Sequence, residues 1–145
     1  MTQKQTPPQG GAGRPQRGLP CLGGLPPRRI GLVQAIQQVR LKQKVRTHTP
    51  QTKVLEFLVA ILGGLAHLQD ISRAGHPLDQ DRMVAEAWDQ PAWADYSGVS
   101  RTLAQLTETE VDELVAALEG VSQPFIDQEV ATALRQNGEL TYDAD

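Results

Sequence analysis

The sequence predicts an all-α protein: a small helical bundle with a helix-turn-helix-like unit, a disordered N-terminal arm and a short strand-like C-terminus. Three observations support this class. Apolar residues recur at helical spacing over most of residues 30–138, capping residues precede several of these stretches, and proline and glycine concentrate in residues 1–29. The 145 residues suffice for one modest domain rather than two.

Charge divides the chain into two regions. The net charge is -3, yet residues 1–53 carry ten Lys or Arg and no acid, and all 17 Asp and Glu follow Lys53. A basic arm of this kind favours binding to a polyanion, above all nucleic acid. The alternative is a solvated tail without a specific partner.

Cysteine usage and hydropathy exclude several classes of protein. The lone Cys21 permits neither an internal disulfide nor a zinc cluster, in keeping with a cytoplasmic location. Residues 1–25 lack the apolar stretch of a signal peptide. The most apolar run, residues 54–68, is too short to span a bilayer and contains Glu56 and His67, so we expect no membrane partner.

The N-terminal arm, residues 1–29, is expected to be disordered because it has almost no large apolar residues to offset the entropy of ordering. Residues 30–46 then predict a helix with Leu32, Ile36 and Val39 on one face. Residues 51–72 predict a helix that is apolar nearly all round and therefore central to the bundle, with Gly63 and Gly64 allowing a close approach or a kink.

A helix-turn-helix-like unit is predicted from Asp79 to Leu106. A short helix capped near Asp79 ends at Trp88, and a second helix follows the loop 89–95, capped by Asp95 or Ser97. Its predicted outer face combines four positions at helical spacing: Gly98, Arg101, Thr102 and Gln105. The alternative is an ordinary amphipathic helix whose polar face meets only water.

The remaining helices are predicted from their termini. Thr107 and Glu110 form a capping box, and Gly120 is expected to end this helix. Another helix is expected from Pro124, capped by Ser122 or Gln123, to about Gln136, with Asn137-Gly138 as its terminator. Residues 139–145 alternate apolar and polar residues, as a strand does.

Two sets of residues are candidates for DNA contacts. The second helix of the unit offers side chains suited to base edges and phosphates: Ser97, Ser100, Arg101, Thr102 and Gln105. The cationic end of the first helix, Arg40, Lys42, Lys44 and Arg46, with Arg28, Arg29 and Lys53, would contact phosphates without regard to sequence. No aromatic residue is interleaved, which disfavours single-strand binding.

Asp143 and Asp145 are the candidate metal ligands. Carboxylates on a strand hold Mg²⁺ in phosphoryl-transfer sites, although two acids near the end of the sequence are more often a solvated tail. No other residues complete a two-metal centre, and no Ser/His/Asp set or phosphate loop is present.

The chain resembles the N-terminal region of bacterial insertion-sequence DDE transposases over about residues 30–145. The resemblance lies in four stretches, residues 54–70, 85–88, 96–103 and 123–127. The most specific part is Ser-Gly-Val-Ser-Arg-Thr-Leu, residues 97–103. Residues 142–145 (Tyr-Asp-Ala-Asp) match the start of the family's RNase H-like catalytic domain, with Ala144 in place of glycine.

This resemblance implies a DNA-binding and multimerisation region that is not catalytically competent alone. It implies that residues 139–145 begin a truncated catalytic domain, that Asp143 or Asp145 is the first metal-binding acid, and that the other two acids are missing. Mg²⁺ is expected for a full-length relative and no cofactor for this chain. The implied partners are double-stranded element ends and, for multimerisation, the chain itself or intact transposase subunits.

Two other functions stay open. One is a stand-alone helix-turn-helix regulator that binds a palindromic DNA site as a dimer. The other is a helical module that binds another protein, such as intact transposase, and the acidic residues after Val54 favour it mildly because acids repel phosphate. An active nuclease is the function we most firmly reject.

Overall fold

The structure, a computed structural model, describes residues 31–138. Within this range the protein is all-α, as predicted, and contains no strand. Its elements are α1 (Leu32–Gln38), α2 (Pro50–Leu62), α3 (Asp70–Arg73), a 3-10 helix (Leu78–Gln80), α4 (Arg82–Ala87), α5 (Tyr96–Ala104) and α6 (Glu108–Asn137). The predicted disordered arm, 1–29, and the strand-like segment, 139–145, lie outside the described residues.

The main core lies where α1, α2 and the first half of α6 meet. Ile36, Leu55 and Trp88 are fully buried there, and Leu114 is the buried contact from α6. A smaller cluster joins α2, α3 and α5 through four buried residues: Ala60, Ile71, Ala94 and Val99. Among the described residues, no helix is both long and apolar enough to cross a membrane.

The first helix is shorter than predicted. The sequence predicted a helix over 30–46, but α1 ends at Gln38 and Val39 has extended backbone angles. Val39 and Leu41 are both buried, at 8% and 7% exposure. Residues two apart point to the same side only in an extended chain, so burying both of them requires the helix to stop.

The predicted helix 51–72 is divided into α2 and α3. Thr49 caps α2 by accepting a hydrogen bond from the Thr52 amide, and Pro50 occupies its first turn, where a missing N–H costs nothing. The helix ends at Leu62, and Gly64 then adopts φ 74°, a left-handed conformation that glycine takes without strain. The helix ends at the two glycines instead of continuing through a kink, so its predicted length was overestimated.

The unit predicted from Asp79 to Leu106 contains two helices with an intervening loop. Asp81, near the predicted Asp79, caps α4, and Asp95, one of the two predicted caps, caps α5. However, α5 packs mainly against α2 and α3. Its position is therefore not set by α4, and a helix-turn-helix relation between α4 and α5 stays a prediction.

Helix α6 confirms one predicted boundary and corrects another. The capping box is present: Thr107 N donates to Glu110 Oε2 at 2.9 Å, and Glu110 N donates to Thr107 Oγ1 at 3.3 Å. The predicted break at Gly120 was wrong, because α6 continues through Pro124 to Asn137. Pro124 has no N–H to donate to the preceding turn, yet the helix continues past it and ends at Gly138 with φ 71°.

Candidate nucleic-acid interface

The chain between α1 and α2, residues 39–49, forms no helix, and we name it the basic segment. Val39 and Leu41 fix it to the core, and Gln51 Nε2 donates a hydrogen bond to the Val39 carbonyl at 2.8 Å. The cations at alternate positions, Arg40, Lys42 and Lys44, are exposed. Alternating burial therefore turns the positive charges outward along one side of the segment.

Two long-range hydrogen bonds attach the basic segment to the other end of the domain. Lys42 N donates to Glu110 Oε1 at 2.7 Å, and Gln43 Nε2 donates to the Thr102 carbonyl at 3.0 Å. The amides of Thr107 and Lys42 hold the pKa of the Glu110 carboxyl below its usual value. Glu110 thus serves as an ionised anchor that joins the start of α6 to the basic segment.

Helix α5 is oriented by its cap. Asp95 accepts a hydrogen bond from the Gly98 amide at 2.8 Å and another from Ser97 Oγ at 2.9 Å. These two bonds, followed by the nearby charges of Arg101 and Lys53, lower the pKa of Asp95. Asp95 therefore stays ionised beside two cations and neutralises part of their charge.

The basic segment, α2 and α5 enclose a cavity of about 530 Å³, which we name the basic groove. Its lining consists of five cations and three neutral polar residues: Lys42, Lys44, Arg46, Lys53, Arg101, Gln43, Thr102 and Gln105. None of these described lining residues is acidic. A second hollow of about 270 Å³ continues past Arg46, Lys53 and Arg101 to Thr47, His48 and Asp95.

The basic groove unites residues that the sequence analysis had placed in two separate sets. Lys42, Lys44 and Arg46 come from the predicted cationic helix, whereas Arg101, Thr102 and Gln105 come from the predicted recognition face. Three other candidates, Arg40, Ser97 and Ser100, do not line it. Gln43 was not among the predicted contacts, because nothing local in the sequence indicated its hydrogen bond to the Thr102 carbonyl, 59 positions away.

The predicted outer face of α5 needs correction at two positions. Thr102 is only 3% exposed and Gly98 is buried, because this side of α5 packs against α2 and the basic segment. A methyl group on Gly98 would approach Asp95 Oδ1 to 3.0 Å. Arg101 and Gln105 are exposed, so they are the two residues of the predicted face that reach the groove freely.

A buried carboxyl, Glu56, lies in the core beside this interface. Its Oε2 accepts a hydrogen bond from the Ala94 amide at 2.8 Å, while its Oε1 has no partner among the described residues. Burial raises the pKa of Glu56 to about 8, because the charged form has lost its water. From the sequence, Glu56 was predicted only to disfavour a membrane span, because the burial of its carboxyl depends on tertiary packing.

The predicted metal ligands, Asp143 and Asp145, lie outside the described residues. Within residues 31–138, no cluster of three or more His, Cys, Asp or Glu side chains is arranged to hold a metal ion. The chain was also compared with protein-family models, curated proteins and solved structures, and none of the three comparisons produced a match.

Proposed function

We propose that this chain binds double-stranded DNA through the basic groove, as a region derived from the N-terminal part of an insertion-sequence DDE transposase. The observation that carries the proposal is the convergence of two elements far apart in sequence. The basic segment and Lys53 contribute four cations, and α5 contributes Arg101, all to one groove.

The chemistry of the groove suits the backbone of a duplex. Lys and Arg bind phosphate oxygens, and their binding releases the counterions condensed on DNA. Gln105 and Arg101 carry the donor groups that contact adenine and guanine edges in a major groove. No aromatic residue lines the groove among the described residues, so base stacking on a single strand has no platform there.

The distribution of charge also supports this orientation. The groove is cationic although the net charge of the chain is -3. Acids concentrate on α6, which carries Glu108, Asp112, Glu113, Glu119 and others. DNA approaching this molecule is attracted to the groove and repelled from α6, and such asymmetry orients an encounter before contact is made.

The role in transposition is part of the same proposal. The DNA would be the ends of a mobile element, the location the cytoplasm, and the chain would bind without cutting. Mg²⁺-dependent cleavage of element ends by the purified protein would contradict the last point. The stand-alone regulator differs in requiring a palindromic site and a dimer that reads both halves of it.

Fluorescence anisotropy with a labelled duplex tests the DNA-binding proposal. Binding is expected at about 50 mM salt, and the logarithm of the affinity should fall linearly with the logarithm of the salt concentration. Replacing Arg46 by alanine should weaken binding and reduce the magnitude of that slope by about 0.9, the value for one lost phosphate contact.

Arg82→Ala is the matched control, because Arg82 is exposed on α4 and does not line the groove. It removes the same charge from the same chain. If the duplex does not bind at about 50 mM salt, where phosphate contacts are strongest, the proposal is wrong. Equal losses from Arg46→Ala and Arg82→Ala would show that net charge, and not the groove, determines binding.

A further inference from the structure

The two halves of α6 have different surroundings. In the first half, Leu114 is buried and Leu118 and Val121 pack partly against the core. Residues 122–131 are all exposed, and the helix continues to Asn137. The second half of α6 therefore extends beyond the body of the domain.

This protruding half is apolar along one side. Phe125, Ile126, Val130 and Leu134 are between 37% and 51% exposed. On α2, Ile61 and Leu62 are exposed as well, at 54% and 43%. Large apolar side chains gathered on one surface mark a site of interaction with another molecule.

A hollow of about 440 Å³ lies between α2 and α6, beside this apolar side. Leu58, Ile61 and Leu62 form its α2 wall, and Leu118, Phe125 and Ile126 form its α6 wall. One molecule thus presents both an apolar ridge and an apolar hollow that could receive such a ridge.

The protruding half also has little intrinsic stability as a free helix. It is about four turns long and contains Pro124, and isolated helices of this length are marginal in water. A partner that covers the apolar side would supply the packing that the body of the domain does not provide.

We propose that this partner is a second copy of the chain, and that the protruding halves of α6 pair antiparallel about Val130. Ile126, Val130 and Leu134 follow one another at four-residue spacing, so they form a continuous ridge. Antiparallel pairing about Val130 places Leu134 of each copy opposite the partner's Ile126, which lines the partner's hollow.

The charges on α6 select this arrangement. Its first half carries five acids and no base, Glu108, Glu110, Asp112, Glu113 and Glu119, and would repel a parallel copy along its whole length. Its second half carries only Asp127, Glu129 and Arg135. Antiparallel pairing keeps the two acidic halves at opposite ends and joins the copies where the charge is nearly balanced.

This dimer does not depend on the DNA-binding proposal, since the hollow and the ridge share no residue with the basic groove. Sedimentation equilibrium of the full chain tests it directly. We expect a dimer at about 100 µM protein, a concentration at which a dimer with a dissociation constant of about 1 µM is almost fully formed. A chain that is monomeric at this concentration overturns the proposal and leaves the apolar side for a different protein.

Ile126→Glu combined with Val130→Glu should convert the dimer into a monomer, because each charge would be buried without a partner. The matched control is Met83→Glu, a similar change at an apolar residue that is 81% exposed on α4. Circular dichroism checks that the variants keep their helices. A double variant that is folded and still dimeric contradicts the proposed interface.

Cysteine cross-linking tests the orientation. In a Cys21→Ser background, protein with Ile126→Cys is mixed with protein carrying Leu134→Cys and then oxidised. A disulfide needs Cα atoms within roughly 7 Å, so antiparallel pairing predicts cross-links between the two variants and none within either. Cross-links confined to identical variants would establish parallel pairing and overturn the proposed arrangement.

Discussion

Replacing Glu56 by glutamine should remove a large dependence of stability on pH. Glu56 is fully buried in α2, and its pKa is raised from 4.5 to about 8 by burial. The Ala94 amide donates to Glu56 Oε2 at 2.8 Å, a bond that a glutamine carbonyl oxygen can also accept. The substitution therefore keeps the shape and the hydrogen bond while removing the titrating proton.

The direction of the effect follows from where the proton is bound. Between pH 4.5 and about 8, the folded protein keeps the Glu56 proton and the unfolded chain has lost it. The contribution of Glu56 to the free energy of unfolding is therefore largest below pH 4.5 and decreases as the pH rises. It levels off above the pKa of Glu56 in the folded protein. At about 1.4 kcal/mol per unit of pKa, the loss is on the order of 5 kcal/mol.

Urea unfolding followed by tryptophan fluorescence measures this loss, because Trp88 and Trp93 are both buried. Other carboxyls titrate as well, so the informative quantity is the difference between wild type and Glu56→Gln at each pH. This difference should be small near pH 4.5 and should reach several kcal/mol in favour of the variant at about pH 9. A difference that is constant over this range would refute the reasoning.

Three further predictions concern α6 and its junction with the basic segment. Thr107→Ala removes the cap of α6 and should cost about 1 kcal/mol in urea unfolding, and an unchanged midpoint would contradict the role of the capping box. Pro124→Ala should raise helicity by circular dichroism and stabilise the chain by up to about 3 kcal/mol, whereas a loss of helicity would mean that α6 is not continuous there. Glu110→Ala should weaken DNA binding relative to Glu108→Ala in anisotropy, although both remove one negative charge, because only Glu110 accepts the bond from Lys42 N. Equal affinities of these two variants would show that this anchor does not position the groove.

The sequence predicts correctly those helix ends whose signal lies in a few neighbouring residues. The Thr107 capping box, the Asp95 cap and the Gly138 terminator each act on neighbouring amides or backbone angles, so a few residues determine them. Helix boundaries that depend on tertiary packing were predicted wrongly. Burial of both Val39 and Leu41 ends α1 early, and α6 continues through Pro124, although proline usually begins a helix.

The candidate site shows the same division. Residue types alone identified Lys42, Lys44, Arg46 and Arg101 as candidate DNA contacts. These residues line one groove because of long-range hydrogen bonds such as the one from Lys42 N to Glu110 Oε1, whose partners lie 68 positions apart in the sequence. Helical periodicity also placed Thr102 on an open face, whereas packing of α5 against the basic segment buries it.

A nuclear magnetic resonance titration with duplex DNA tests the central claim most directly. If the basic groove is the binding surface, the amide signals of residues 42–53 and of 101–105 should shift together, with the same dependence on DNA concentration. Signals along the acidic first half of α6 should stay in place. Shifts confined to one of the two elements, or centred on α6, would contradict the account.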